Sequence, residues 1–174
     1  YLSWTGRDRS YIDLRLPSVR DIGYELGGIA ALVGLAIVIG LLLGSTGVES
    51  TDHSSFDQAQ GAPELLLVLA VASILVIGPF EELLYRNVIQ KGLTEYFSKA
   101  GAIVVASVVF ASAHLFAYNG GPVGGLLVSL GIVFTLSLVL GAIYARTNNL
   151  LVPALVHGLY NAFVFYTQYL ELVG

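Results

Sequence analysis

The chain has 174 residues, 56% of them hydrophobic and only 11% charged, and its mean hydropathy is +0.79. A soluble domain carries about 25% charged residues, so this composition describes an integral membrane chain. The absence of cysteine excludes disulfides, thiolate nucleophiles and cysteine–zinc sites, and a small, dispersed net charge of −4 excludes a nucleic-acid partner. Methionine is absent as well, so the chain is expected to be part of a longer protein.

Residues 1–21 are polar, with Arg7, Arg9, Arg15 and Arg20 interspersed with Asp8, Asp13 and Asp21, as in a juxtamembrane segment. Residues 26–43 form a nearly continuous apolar run of 18 residues, long enough to span, and read as a plain anchor. Residues 44–63 form a loop holding Glu49, Asp52 and Asp57 without Lys or Arg. His53, in this loop, reads as a solvated residue. A second span over residues 64–80 runs into ILVIGPFEELLYRNV at residues 74–88, and residues 87–99 are amphipathic. A third span covers 100–117, and a turn is expected at residues 118–122 (YNGGP). The fourth span, 123–145, has no ionisable group and reads as scaffold. The fifth, 150–169, has Pro153 near its start, where proline is tolerated.

All eight Lys and Arg fall in residues 1–20, 86–99 or at Arg146, and five spans put these three regions on one side. The positive-inside rule then makes the N-terminal segment cytoplasmic. The expected architecture is all-α: a bundle of about five transmembrane helices around a polar cavity that opens toward the cytoplasmic side.

Charged groups inside such a bundle are costly and are kept where they pair or act. Residues four apart share a helix face, while adjacent residues diverge by about 100°. Glu82 is therefore expected to pair with Arg86, leaving Glu81 to face elsewhere, free to act as a general base. His114 shares a face with Phe110, and His157 with Asn161. Two histidines, an amide and two carboxylates on three helices can build an inward-facing site. The chemistry that fits them best is hydrolysis through an activated water, with Glu as general base, His to orient the proton, and His and Asn to hold the oxyanion. A zinc ion held by Glu81, His114 and His157 is the metal alternative. Ligand arithmetic leans against it, because using Glu81 as a ligand leaves only the arginine-paired Glu82 as base.

EELLYR (Glu81–Arg86), FASAH (Phe110–His114) and HGLYN (His157–Asn161) resemble the EExxxR, FxxxH and HxxxN motifs of the CPBP family of intramembrane proteases, which includes the Rce1-type CAAX prenyl endopeptidases and the bacterial Abi-type proteins. The resemblance covers roughly residues 64–167. It implies that Glu81 activates water with Glu82 beside it and Arg86 in support, that His114 assists the water, and that His157 and Asn161 form the oxyanion side. Family members are discussed as zinc metalloproteases and as glutamate proteases. Where the family often has Phe-Arg-Gly, this chain has Tyr85, Arg86 and Asn87, which bears on local backbone packing more than on chemistry.

The implied organisation is a cytoplasmic segment (residues 1–21), a first transmembrane helix with its outer loop (22–62) and a CPBP-like catalytic bundle (63–174). The implied activity is that of an intramembrane endopeptidase, cutting near the C-terminus of a prenylated, CAAX-like or other membrane-associated peptide or protein, with membrane lipid as its surroundings. The alternative is a non-catalytic transporter or proton-relay scaffold using the same Glu and His. One geometric condition attaches to both. At about 1.5 Å per residue, His157 lies roughly 10 Å and His114 roughly 20 Å from the charged end of their spans, while Glu81 lies close to it. The depths converge only if the second helix runs past Arg86 or the third starts lower than Ala100.

Overall fold

A computed structural model describes residues 2–118 and 122–174. The expected turn at residues 118–122 therefore falls largely outside the described residues. After a one-turn helix at Leu2–Thr5 and a 3₁₀ turn at Arg9–Tyr11, the chain forms α1 (Val19–Thr46), α2 (Ser54–Ala59), α3 (Glu64–Leu93), α4 (Lys99–Ala113), α5 (Val123–Thr147) and α6 (Leu151–Val173). Among the described residues the only β pairing is an isolated bridge between His53 and Tyr118.

α1, α3, α4 extended by a 3₁₀ turn to Ala117, and α5 are each long and apolar enough to cross a membrane. α6 is not among these four. It is 23 residues long, and His157, Asn161 and Gln168 interrupt its apolar run. It is nevertheless the helix on which the others assemble, packing against α1, α3 and α5, while α4 bridges α3 and α5.

Helix boundaries follow from end chemistry. α1 begins before the apolar run because Ser18 and Asp21 form a capping box, the Ser18 side chain accepting from the Asp21 N–H and the Asp21 carboxylate from the Ser18 N–H. α3 runs continuously through Pro79. Proline removes an N–H and crowds the preceding turn, and the helix answers with a wide i→i+5 stretch just before it, Ser73–Ile77. A second such stretch, Leu83–Gln90, follows the two glutamates; wide turns of this kind concentrate at functional sites. Because α3 continues seven residues past Arg86 to Leu93, Glu81 sinks about 18 Å from that end. The first of the two conditions for convergence is met.

Lipid is as apolar as leucine, so close packing and polar contacts hold such a bundle together. A Cβ on Gly158 would lie 2.6 Å from the Ser73 carbonyl oxygen, and one on Gly78 would lie 2.9 Å from that of Ala154. α3 and α6 thus meet backbone to backbone, and His157 is carried into the contact. α1 is more than an anchor. Its Leu32 is fully buried with Leu140, Ile143, Val152 and Val156 of α5 and α6, and Gly28 sits against Ile143 and Val156.

The arginine-rich end is covered by the N-terminal segment. Asn87 is fully buried; its amide donates to the Tyr11 carbonyl (3.3 Å) and accepts from the Asp13 N–H (2.9 Å). Lys91 donates to the Tyr11 carbonyl and the Asp13 carboxylate, Tyr144 donates to that carboxylate, and the Leu150 N–H bonds the Asp13 carbonyl. Asn87, at the position where the family that the motifs resemble often has glycine, is thus a clamp for this segment.

Candidate active site

Glu82 and Arg86 are both fully buried, and Arg86 Nε donates to Glu82 Oε2 at 2.8 Å. This is the expected i,i+4 pair. Arg86 Nη2 also donates to Ser137 Oγ on α5 (3.0 Å), and its guanidinium lies 5.3 Å from the Phe110 ring centroid. The fourth span, read as scaffold, therefore contributes a ligand for the arginine. Being one of two serines in an apolar run was its only mark in the sequence.

His157 stands between the two carboxylates. Its Nδ1–H donates to Glu82 Oε1 at 3.0 Å, because a carboxylate can only accept. In the neutral ring this leaves Nε2 as an acceptor, and Nε2 lies 3.7 Å from Glu81 Oε2. Glu81 points away from the Arg86 pair, as the helix geometry requires. Its side chain keeps 29% of its exposure, and Oε2 is buried without a hydrogen bond. Two acceptors facing each other at this distance can be bridged by one proton, or by a water giving a hydrogen to each.

His114 ends α4. Its Nδ1–H donates to the Phe110 carbonyl at 2.8 Å, which turns an acceptor Nε2 outward from the helix. Phe110 packs the site together, with ring centroids 4.8 Å from Tyr85, 4.4 Å from His114 and 5.8 Å from His157. Asn161, one turn after His157, is half-buried.

Two cavities adjoin these groups. The larger, 340 Å³, is lined in part by His157, His114 and Asn161. The smaller, 290 Å³, runs along the α3 row Leu69, Ser73, Ile77, Glu81 and Tyr85, and also takes in His114 and Asn161. All six sequence-predicted side chains therefore belong to one region of the bundle: Glu81, His114, His157 and Asn161 line cavities, and Glu82 with Arg86 forms the buried support behind them.

One expectation is corrected. The cavities are bounded by the segment between α1 and α3, including Ser50, Thr51, Asp52 and His53 in the larger one, at the other end of the bundle from the arginine-rich end. That end is filled by residues 11–15, hydrogen-bonded to α3, to α5 and to Asn149 and Leu150 just before α6. His53 is no solvated loop residue; it lines both cavities. Apolar periodicity carries no information about a loop that folds back into a bundle, so nothing in the sequence marked it.

The zinc alternative finds a weak fit. Among the described residues no three His, Asp or Glu side chains are grouped so as to hold a metal ion. Glu81 and His157 approach one another, but His114 does not complete a triad with them, and Nδ1 of each histidine is committed to an oxygen.

Residues 63–163 match the family described as type II CAAX prenyl endopeptidase Rce1-like. No curated protein and no solved structure matches the chain.

Proposed function

The chain belongs to the Rce1-like family of type II CAAX prenyl endopeptidases, and from that premise we propose that it hydrolyses a peptide bond of a lipidated or other membrane-associated substrate through a water activated by Glu81. The observation that carries this reading is the division of labour between adjacent carboxylates. Glu82 is saturated by Arg86 and His157, whereas Glu81 lines a cavity and its Oε2 is unbonded, 3.7 Å from a histidine nitrogen.

In the proposed reaction Glu81 takes a proton from water as the water oxygen attacks the carbonyl carbon. The acceptor Nε2 of His114 orients the second hydrogen of that water. Asn161 donates its amide N–H to the carbonyl oxygen as it gains negative charge. The C–N bond then breaks, and the proton held by Glu81 passes to the leaving amine, with Nε2 of His157 sharing it in transit. Glu82 and Arg86 hold His157 in the tautomer that presents Nε2 to Glu81, so we assign them a positioning role. We further propose that the N-terminal segment is cytoplasmic and that residues 63–174 form the catalytic bundle. A proton relay without hydrolysis would use the same Glu81–His157–Glu82 chain, and peptide cleavage separates the two readings.

The test is cleavage of prenylated and unprenylated CAAX-type peptides by purified protein, before and after exhaustive chelation. Glu81→Gln keeps the shape but cannot accept a proton, so turnover is expected to fall by at least about 100-fold, the lower range for a general base, with the melting temperature unchanged. Near-normal turnover in that variant overturns the assignment. Activity lost on chelation and restored by zinc would return the site to the metal alternative.

A further inference from the structure

We propose that His53, in the segment between α1 and α3, contacts the substrate directly, its Nε2–H donating a hydrogen bond to a carbonyl oxygen of the bound peptide. This deepens the hydrolytic reading above and rests on it. His53 lies outside residues 63–163, which carry the family match.

His53 lines the smaller cavity together with Glu81, His114 and Asn161, and it lines the larger one with His114, His157 and Asn161. The segment that carries it is folded into the bundle by several independent contacts. The backbone of His53 pairs with Tyr118, and its ring meets the Tyr118 ring edge-on at 5.4 Å. Two residues earlier, the Thr51 carbonyl accepts from buried Ser129 Oγ at 2.7 Å, and the Thr51 N–H bonds the Gly125 carbonyl. A Cβ at Gly125 would lie 2.9 Å from Thr51 Oγ1, so glycine there lets the segment sit directly on α5.

His53 is the N-cap of α2, and its Nδ1 accepts the Ser55 N–H at 3.2 Å. A neutral imidazole with Nδ1 accepting carries its proton on Nε2. Burial, and after it the proximity of His114, hold the His53 imidazole below its ordinary range, so the neutral ring is the form present at pH 7.

Glu81, His114 and His157 line the cavities, and in neutral rings the Nδ1 bonds to Phe110 and Glu82 leave both histidine Nε2 atoms as acceptors. They suit a water, but a peptide carbonyl needs donors, the more so as it becomes an oxyanion. Asn161 brings its amide there and His53 its Nε2–H, beside hydroxyls such as those of Tyr118 and Tyr160. The same loop thus bounds the cavity and adds a donor to it.

Two substitutions separate this role from the helix cap. His53→Asn places an amide oxygen near the Nδ1 position and keeps a favoured N-cap, but removes the donor from the cavity. His53→Gln reaches the Nε2 position with an amide N–H and gives up the cap. With a fluorogenic prenylated CAAX-type peptide, His53→Asn is expected to lower kcat/KM by about tenfold or more at an unchanged melting temperature, and His53→Gln to recover most of the loss. In the Glu81→Gln background, adding His53→Asn should weaken binding of the intact peptide by a similar factor. Wild-type kcat/KM in His53→Asn overturns the proposal, as does equal impairment of both variants with lowered melting temperatures, which would mark a purely structural cap. If the wild-type protein leaves the peptides intact, the hydrolytic reading falls, and the binding arm alone decides whether His53 holds the peptide.

Discussion

Replacing Glu82 by glutamine tests the claim that one carboxylate supports while its neighbour reacts. In the native protein, Glu82 Oε2 accepts from Arg86 Nε at 2.8 Å and Oε1 accepts from His157 Nδ1 at 3.0 Å, with no exposure to solvent. Glutamine offers one oxygen for these two donors and turns an NH₂ toward the other. The Arg86 charge stays buried, retaining Ser137 Oγ and the face of Phe110 but losing its counter-ion. Orphaning one partner of a buried ion pair costs about 3–5 kcal/mol, and the oxygen that glutamine keeps places Glu82→Gln at the lower end. At roughly 2–4 °C per kcal/mol for a chain of this size, the melting temperature in detergent should fall by about 6–12 °C. Turnover should fall as well, since His157 loses the acceptor that sets its tautomer. Glu81→Gln should melt like wild type while losing turnover. Arg86→Gln in the Glu82→Gln background should restore part of the lost stability, because it removes the uncompensated charge; a coupling of about 0.5–3 kcal/mol is expected for groups in contact. A Glu82→Gln protein that melts like wild type, or a Glu81→Gln protein that is the unstable one, would refute the division of roles.

Two other predictions concern how the site is carried. In Gly158→Ala the new methyl would lie 2.6 Å from the Ser73 carbonyl oxygen and 2.8 Å from Ile74 Cα, both backbone atoms that cannot swing aside. The variant should therefore lose about 1–3 kcal/mol to overpacking and most of its turnover, since α6 carries His157; wild-type turnover there would show that the α3–α6 contact does not set the site. Asn87→Gly removes the amide that holds Tyr11 and Asp13, so limited trypsin digestion at Arg9 and Arg15 should accelerate about tenfold, with unchanged digestion refuting the clamp.

The part of this site that lies on regular helix was legible in the sequence. Spacing alone paired Glu82 with Arg86, turned Glu81 away, and put His157 and Asn161 on one face, because a helix repeats its directions every 3.6 residues. What spacing could not reveal was the relation between helices. That His157 donates to Glu82 follows from the glycines at 78 and 158, which let two backbones touch, and from a helix that runs on to Leu93. Ser137 looked like one small residue among many in an apolar span. Asn87 could be seen as a departure from the family pattern, but its use lies in a partner segment more than 70 residues earlier in the chain. His53 was misread because a polar loop between spans defaults to solvent, and only tertiary contacts at Thr51, Gly125 and Tyr118 turn it inward.

The placement of the cavities sets two readings of orientation against each other. Every Lys and Arg lies at the end of the bundle closed by the N-terminal segment, which the positive-inside rule assigns to the cytoplasm. The cavities are bounded instead by the Lys- and Arg-free segment that holds Asp52 and His53. If the charge rule holds, a peptide reaches Glu81 from the opposite side, or sideways from the bilayer along the α3 row from Leu69 to Tyr85. A membrane-anchored substrate suits the lateral route, since its lipid never has to leave the hydrocarbon. The chain has no native cysteine, so single-cysteine variants give a clean answer. Gln58 on α2 and Thr94 after α3 are both exposed and belong to opposite ends. In oriented vesicles an impermeant maleimide should label Thr94→Cys only from the cytoplasmic face and Gln58→Cys only from the other. The reverse labelling would put the cavity mouth in the cytoplasm and leave the charge distribution to be explained by the pairing of Arg15, Arg86 and Lys91 with acidic partners rather than by topology.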